Sequence, residues 1–218
     1  MNSGIIFDVD GVLVDSGDAH FKSWQRLAER VQAPPITREK FAASFGQRSE
    51  AIIREWFSIA DPSEIHRLDE EKEGFFREII SAEFPAMPGA AELIRTLHGA
   101  GMKIALGSSG PPENVSLVIE RLGISAQLSA VVTGRDVQRG KPDPQVFQLA
   151  ARKLAIAPRR CVVVEDAPVG IESARRGGMP CIALAGTHAR ENLGAADLVV
   201  DSLGAITPQV VTALVSKS

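Results

Sequence analysis

The sequence predicts an α/β fold, namely a doubly wound parallel sheet (a Rossmann-like core) with an inserted α-helical cap domain. Short, continuously apolar runs recur along the 218 residues, and segments with helical spacing separate them. Continuous apolarity is typical of strands that are buried on both faces, as in parallel sheets. A long stretch after the first run shows helical spacing and little strand signal. It far exceeds an ordinary crossover, so we expect it to form a separate cap.

The predicted strands of the core are short apolar runs at residues 5–7, 103–106, 130–132, 161–164, 181–184 and 198–200. Helical patterns lie between them at 90–98, at 114–122 and from Asp143-Pro144 onward. Gly99 and Gly123 are expected to end the first two helices. Asp143 can cap the third helix, with Pro144 at its first position. This alternation of strand and helix predicts the doubly wound sheet.

The cap is predicted from the spacing of apolar residues between the first two strands. One face of a helix is formed by Phe21, Trp24, Leu27, Ala28 and Val31. Pro34-Pro35 is expected to end this helix. We therefore expect a core of residues 1–15 and 87–218 and a helical cap of residues 16–86.

Composition and charge exclude several classes of protein. The chain has 24 Lys and Arg against 27 Asp and Glu, a net charge of −3, which gives no reason to expect nucleic acid or a membrane surface as a partner. No apolar segment reaches the length of a membrane helix, and no basic region of an export signal is seen. We expect a cytoplasmic monomer.

The two cysteines, Cys161 and Cys181, lie in apolar runs and are interpreted as buried side chains.

Polar side chains follow or trail four of the predicted strands. They are, in chain order, Asp8, Asp10, Ser108, Ser109, Lys141, Glu165 and Asp166. Ligands of open α/β sheets bind outside the carboxyl ends of the strands, so these side chains are expected to converge at one rim. Carboxylates suit Mg²⁺, one carboxylate can form an aspartyl-phosphate, and a second can move protons. A lysine and a hydroxyl can hold phosphate oxygens as charge develops, so the set predicts phosphoryl transfer.

These residues lie in four motifs that resemble those of the haloacid-dehalogenase superfamily of phosphotransferases. The motifs are FDVDGVLVDS at 7–16, LGSS at 106–109, GKPDP at 140–144 and VEDAPVG at 164–170. The resemblance covers essentially the whole chain. It is closest to the branch of β-phosphoglucomutase-like proteins and small-molecule phosphatases that carry a helical cap after the first strand. It implies a small phosphorylated molecule as substrate and Mg²⁺ as cofactor.

The resemblance also implies a role for each carboxylate. Asp8 would be the nucleophile and a Mg²⁺ ligand. Asp10 would be the general acid and base, with its main-chain carbonyl on the metal. Asp166 would ligate Mg²⁺ as well, with Glu165 assisting directly or through water. Because relatives that cleave carbon–halogen bonds lack the second acid, Asp10 argues against a dehalogenase.

Phosphate binding and substrate choice are implied for a further set of residues. Ser108 and Lys141 would hold the phosphoryl group, with Ser109 as an additional phosphate contact. The cap is expected to choose the substrate and to close over it, with substrate contacts from His20, Arg48 and Lys72.

The resemblance implies a Mg²⁺-dependent phosphatase that hydrolyses a small phosphorylated metabolite, a sugar phosphate, through an aspartyl-phosphate. The alternative is a β-phosphoglucomutase-type sugar phosphomutase, which uses the same intermediate but must exclude water from it. His20 and Lys72 favour the mutase. Mutase relatives carry a cap arginine at the position of Ser49, one after Arg48, which favours the phosphatase.

Two further functions are weighed against these. A phospho-acceptor signalling domain also uses Asp, a hydroxyl and Lys at strand ends, but it needs neither a large cap nor the second acid. A phosphonate-cleaving hydrolase would need a cap lysine with a lowered pKa that forms a Schiff base. The sequence around Lys22 and Lys72 gives no sign of such a lysine.

Overall fold

The central sheet has the predicted architecture. The computed structural model describes residues 3–44 and 49–217. Its strands are β1 (Gly4–Phe7), β2 (Lys103–Gly107), β3 (Leu128–Val132), β4 (Cys161–Glu165), β5 (Cys181–Leu184) and β6 (Leu198–Val200). They form one six-stranded sheet in the order β3-β2-β1-β4-β5-β6, and every neighbouring pair is parallel. The doubly wound parallel sheet is therefore confirmed, and each predicted apolar run lies in one strand.

The helices follow the strand signals in the expected alternation. In chain order they are α1 (Gly17–Arg30), α2 (Arg38–Ala43), α3 (Ser49–Phe57), α4 (Pro62–Ala82), α5 (Ala90–Gly99), α6 (Pro112–Leu122), α7 (Gln145–Leu154), α8 (Pro168–Arg176) and α9 (Pro208–Lys217).

The strands are continuously apolar because helices cover both faces of the sheet. All four residues of β1 and all five of β4 are buried. Ile6 packs in a cluster with residues of α7 and α8, and its neighbours Ile5 and Phe7 are equally buried. Since successive strand residues point to opposite faces, Ile5 and Phe7 lie on the other face, and α5 and α9 contact β2 and β4.

The helix ends differ from the predictions by one or two residues. Gly123 has a left-handed φ of +61° at the end of α6, as expected of a terminal glycine. Gly99 was expected to end its helix from outside, but it is the last residue of α5, and the left-handed residue is Gly101 at φ +80°. At α7 the helix begins at Gln145, whose N–H donates to Asp143 Oδ1 at 3.0 Å. Pro144 precedes that first residue with a φ of −74°.

The chain divides into two units, one running to Asp15 and resuming at Ala86, the other comprising Ser16–Pro85. The second unit is built from α1, α2, α3 and α4. Four of the five apolar residues of the predicted helix face are buried in its core, namely Phe21, Trp24, Leu27 and Ala28, while Val31 is partly buried. Trp24 packs edge-to-face on Trp56 with ring centroids 5.3 Å apart, which is a core contact of this unit.

No helix among the described residues is long and apolar enough to cross a membrane. The monomeric state and the cytoplasmic location expected from the sequence stay predictions.

Cys161 and Cys181 are free and buried, and burial raises the pKa of the Cys161 thiol to about 12. Both thiols are therefore unreactive core side chains at neutral pH.

Candidate active site

Two central strands bring the predicted carboxylates together. β1 and β4 are neighbours in the sheet, and the strand order reverses between them, which is where open α/β sheets bind ligands. Asp8 follows the last residue of β1, and its N–H donates to Val164 O at 2.9 Å, which extends the pairing with β4. Glu165 ends β4, and Asp166 follows it. The topology therefore places the three carboxylates side by side.

Lys141 neutralises part of this acidic group. Its Nζ lies 2.8 Å from Asp8 Oδ1 and 2.5 Å from Glu165 Oε1. The ammonium also sits 4.8 Å from the centroid of the Phe147 ring, an attractive cation–π contact. The Lys141 side chain is only 7% exposed. Because charge pairs are strong when buried, these contacts fix the ammonium beside Asp8.

Glu165 is held by the main chain that leads into α8 as well as by Lys141. Its Oε2 accepts the N–H groups of Asp166 at 2.7 Å and of Ala167 at 2.8 Å. A carboxylate at the N-terminus of a helix is stabilised by the helix dipole. A Cβ at Gly170 would overlap the Glu165 carboxylate, so a glycine in the first turn of α8 makes room for it.

The acidic group carries more negative charge than Lys141 can neutralise. Asp8, Glu165 and Asp166 are buried and each offers a carboxylate oxygen within 4.8 Å of the others. Burial and the neighbouring Glu165 and Asp10 carboxylates raise the pKa of Asp8 to about 7, against the opposing effect of Lys141. Burial, Glu165 and Asp8 raise the pKa of Asp166 to about 8. Converging oxygens with unrelieved charge suit a hard divalent cation.

The turn after β1 depends on Gly11. Gly11 has a φ of +74°, a conformation that L side chains rarely adopt. Its N–H donates to Val14 O at 2.8 Å. A Cβ on Gly11 would overlap the Asp166 carboxylate. The turn can therefore pack directly against Asp166 only because this residue has no side chain.

Replacing Gly11 with alanine is expected to lower kcat/KM by about 100-fold, since displacing a catalytic group by about 1 Å costs that much. The added methyl group must push Asp166 or the turn that carries Asp10 out of place. Steady-state kinetics measure the loss. Gly99→Ala is the matched control, because nothing lies within 4 Å of a Cβ built there. Normal kinetics of G11A would contradict the geometry of the turn.

The second motif forms a loop next to this site. Ser108 is 1% exposed, its N–H donates to Val132 O at 3.0 Å, and its Oγ accepts the Gly110 N–H at 3.0 Å. A Cβ at Gly110 would lie 3.3 Å from Ser108 Oγ and 3.8 Å from Asp10 Oδ2, so Asp10 and Ser108 flank the same glycine. Ser109 is exposed. A Cβ at Gly134 would overlap the Ser109 carbonyl. The loop can therefore pack against residue 134 only because that residue is a glycine.

The helical unit brings two of the three predicted cap residues together. Lys72 is 2% exposed, and its Nζ lies 2.9 Å from His20 Nδ1 and 2.7 Å from Glu73 Oε1. The His20 ring stacks on Phe76 with centroids 4.0 Å apart. Arg48, the third predicted residue, lies outside the described residues. The roles of all three in substrate binding stay predictions.

Comparison with known proteins gives the family. Residues 5–184 match the haloacid dehalogenase-like hydrolases. The chain belongs to this family. The match includes all four motifs and the whole helical unit, so the predicted resemblance is confirmed, and the chain is a haloacid dehalogenase-like hydrolase.

Individual relatives of the hydrolase have two kinds of activity. This chain is 35% identical over 212 residues to hexitol phosphatase A of Escherichia coli (strain K12), and the alignment covers 94% of this chain and 93% of the relative. It is 31% identical over 216 residues to beta-phosphoglucomutase of Bacillus subtilis (strain 168), covering 93% and 91%. A solved structure of beta-phosphoglucomutase from Clostridium difficile superposes with a TM-score of 0.87 at 25% identity, covering 100% and 98%.

Sequence reasoning missed several residues that contact the predicted site residues of each unit. Glu73 is 7% exposed and pairs with Lys72, and the acidic pattern around it in α4 reads as a solvated helix face. Gly11 and Gly170 stood inside recognised motifs, but only the fold shows which carboxylates they accommodate. Thr187, whose hydroxyl lies beside Asp166 next to Gly11, follows β5 in a loop without any motif signal.

Proposed function

We propose that this hydrolase is a Mg²⁺-dependent phosphatase that cleaves a small phosphorylated metabolite, a sugar phosphate, through an aspartyl-phosphate on Asp8. The observation that carries the proposal is the arrangement at β1 and β4. One buried carboxylate is ion-paired with a lysine and lies within 4.8 Å of two others. A nucleophile, a cation to hold phosphate oxygens and a set of metal ligands are thus in one place.

The donor set fits Mg²⁺. Its members are carboxylate oxygens, the ligands that Mg²⁺ prefers, and Mg²⁺ usually takes its remaining ligands from water and substrate phosphates. Asp8 and Asp166 would hold the ion, with the Asp10 main-chain carbonyl. Glu165 would act through water, since its two oxygens already accept bonds from Lys141 and two main-chain N–H groups. When bound, the ion offsets the charge of the carboxylates and of the phosphate.

The proposed reaction has two displacements at phosphorus. In the first, an Asp8 oxygen attacks phosphorus, the bond from phosphorus to the sugar oxygen breaks, and Asp10 donates a proton to that oxygen. In the second, Asp10 takes a proton from water as the water oxygen attacks the aspartyl-phosphate, which releases inorganic phosphate and restores Asp8.

The protein stabilises the transferring group with two further residues. Lys141 and Ser108 donate to the phosphoryl oxygens, and Ser109 offers an exposed hydroxyl at the same loop. Donors aimed at charge that develops in the transition state supply the largest share of the rate enhancement in many enzymes. The E. coli hexitol phosphatase relative supports hydrolysis as the overall outcome.

A sugar phosphomutase is the second candidate. The B. subtilis relative is a beta-phosphoglucomutase, and the part-buried His20–Lys72 contact is the observation in this chain that favours it. Both activities share the aspartyl-phosphate. They differ in whether water or a second sugar hydroxyl receives the phosphoryl group.

A panel assay distinguishes the two. Hexitol phosphates, hexose phosphates and both anomers of glucose 1-phosphate are incubated with the purified chain, with Mg²⁺ or with EDTA, and free phosphate is measured. A parallel reaction adds glucose 1,6-bisphosphate and a coupled readout of glucose 6-phosphate. We expect Mg²⁺-dependent phosphate release from several of the sugar esters and no isomer.

Two results would contradict the phosphatase. Glucose 6-phosphate formed from the β anomer with little free phosphate would identify a mutase. Phosphate release that is equally fast in EDTA would show that hydrolysis does not need Mg²⁺. Asp10→Asn serves as the inactive reference in both reactions, since it removes the proposed acid and base.

A further inference from the structure

Thr187 lies in the loop that follows β5. This loop is placed by contacts with the next strand: the Ala185 N–H donates to Val200 O at 2.8 Å. Arg190 donates to Val199 O at 3.0 Å and to Asp201 Oδ1 at 2.6 Å. Because β5 is the neighbour of β4, its following loop emerges at the same edge of the sheet as Asp166. Thr187 itself is exposed, while the carboxylate that it reaches is 5% exposed.

The Thr187 hydroxyl lies beside the carboxylate of Asp166, next to Gly11. Its effect is to lower the pKa of Asp166, against the larger effects of burial and the neighbouring acids. A Cβ at Gly11 would lie 2.9 Å from Thr187 Oγ1 and would overlap Asp166 Oδ2. The hydroxyl and the carboxylate oxygen therefore share the space that the side-chain-free turn leaves open.

Asp166 needs such a donor more than the other two carboxylates do. Lys141 forms ion pairs with Asp8 and Glu165, and Glu165 also receives two main-chain N–H groups. The charge of Lys141 has a smaller effect on the pKa of Asp166 than burial and the neighbouring acids have. A hydroxyl can orient a carboxylate without adding a positive charge that would compete with a cation. Groups that orient metal-binding carboxylates in this way typically change metal affinity by about 10–100-fold.

We infer that Thr187 is a positioning residue of this hydrolase, which holds the Asp166 carboxylate in the orientation that binds the divalent cation. The inference rests on the proposed function, because it assigns Thr187 a role in the Mg²⁺ site. It adds a residue from the loop after β5, outside all four sequence motifs. Thr187 touches neither the substrate nor the reacting atoms in this assignment and acts through Asp166.

Three variants test the inference. Thr187→Val removes the hydroxyl at nearly constant volume, and Thr187→Ser keeps it. Thr212→Val is the matched control, since the Thr212 hydroxyl bonds Pro208 O within α9. Mg²⁺ binding to the substrate-free protein is measured by calorimetry, the Mg²⁺ dependence of phosphate release gives the half-saturating concentration, and thermal unfolding in EDTA reports stability.

T187V is expected to weaken Mg²⁺ binding by about 10-fold, with the same shift in the half-saturating concentration. Turnover at saturating Mg²⁺ should stay close to that of the wild type, since the bound site is then complete. T187S is expected to restore the affinity, and T212V to leave it unchanged. The unfolding temperature in EDTA should be the same for T187V and the wild type. If the hydroxyl only stabilised the fold, T187V would unfold at a lower temperature.

The possible failures are distinct. If the wild type binds Mg²⁺ and T187V binds it equally well, the inference is overturned and the proposed function stands. If T187S is as weak as T187V, or if T187V unfolds earlier in EDTA, the hydroxyl does not act through the carboxylate and the inference is also overturned. If the wild type itself shows neither Mg²⁺ binding nor Mg²⁺-dependent activity, the proposed metal site fails and the inference fails with it.

Discussion

Replacing Asp8 with asparagine is expected to lower turnover by at least about 10³-fold, because the amide cannot attack phosphorus as a carboxylate does. The fold should survive the change. Asp8 is a buried acid whose pKa is raised to about 7 by burial and by nearby carboxylates, so a neutral amide removes repulsion from the site. Lys141 keeps its pair with Glu165. Turnover with a saturating sugar phosphate and thermal unfolding in EDTA measure the two effects.

Asp61→Asn is the matched control for Asp8→Asn. Asp61 caps α4, where it accepts the Glu64 N–H at 2.9 Å, and asparagine caps helices as well as aspartate does. Its turnover and unfolding temperature should equal those of the wild type. Wild-type turnover of D8N would remove Asp8 from the mechanism. A D8N protein that is inactive because it is unfolded would contradict the electrostatic account of the site.

Replacing Lys141 with methionine is expected to affect both stability and catalysis. It leaves the buried carboxylates of Asp8, Glu165 and Asp166 without their ammonium, and breaking a buried ion pair from one side costs about 3–5 kcal/mol. Loss of a donor to the transferring phosphoryl group should lower kcat by about 10²–10³-fold. Denaturant unfolding in EDTA at neutral pH and saturation kinetics with Mg²⁺ measure these changes.

A second substitution separates the electrostatic cause from lost packing. In the double variant D8N/K141M one carboxylate is neutral, so the Lys141 deletion should cost less there than in the wild type. Lys153→Met is the control, since Lys153 is part-exposed and donates to Val131 O at the surface. Equal costs of K141M in the presence and absence of Asp8 would show that charge does not determine the effect.

The strands and the cap could be predicted because buried positions are occupied by apolar residues, whose spacing is visible in the sequence. β1 and β4 are apolar at every position but their ends, since helices cover both faces of the sheet. The cap was predicted from the helical spacing that places Phe21, Trp24 and Leu27 in its core. Helix ends were less certain, because Gly99 and Gly101 offer equivalent stop signals and only the backbone conformation selects between them.

The internal contacts of the site could not be predicted, because they join residues that are far apart in sequence. The motifs identified Lys141 and Glu165 separately, but not that one bonds the other. The positions of Gly11 and Gly170 against the carboxylates depend on the order of the strands, which no local pattern encodes. Thr187 is a single residue in an exposed loop, and only its place beside Asp166 distinguishes it. The roles of the seven motif residues in catalysis stay predictions until variants are measured.

The passage of the phosphoryl group through Asp8 is tested most directly by the stereochemical course at phosphorus. A sugar phosphate that the panel identifies as a substrate is prepared as its phosphorothioate, in which the two non-bridging oxygens are different isotopes. It is hydrolysed in water that carries the third oxygen isotope, and the configuration of the chiral thiophosphate that is released is determined. Two in-line displacements, by Asp8 and then by water, predict net retention of configuration. Net inversion would mean that water attacks the substrate directly, and it would contradict an aspartyl-phosphate in this hydrolase.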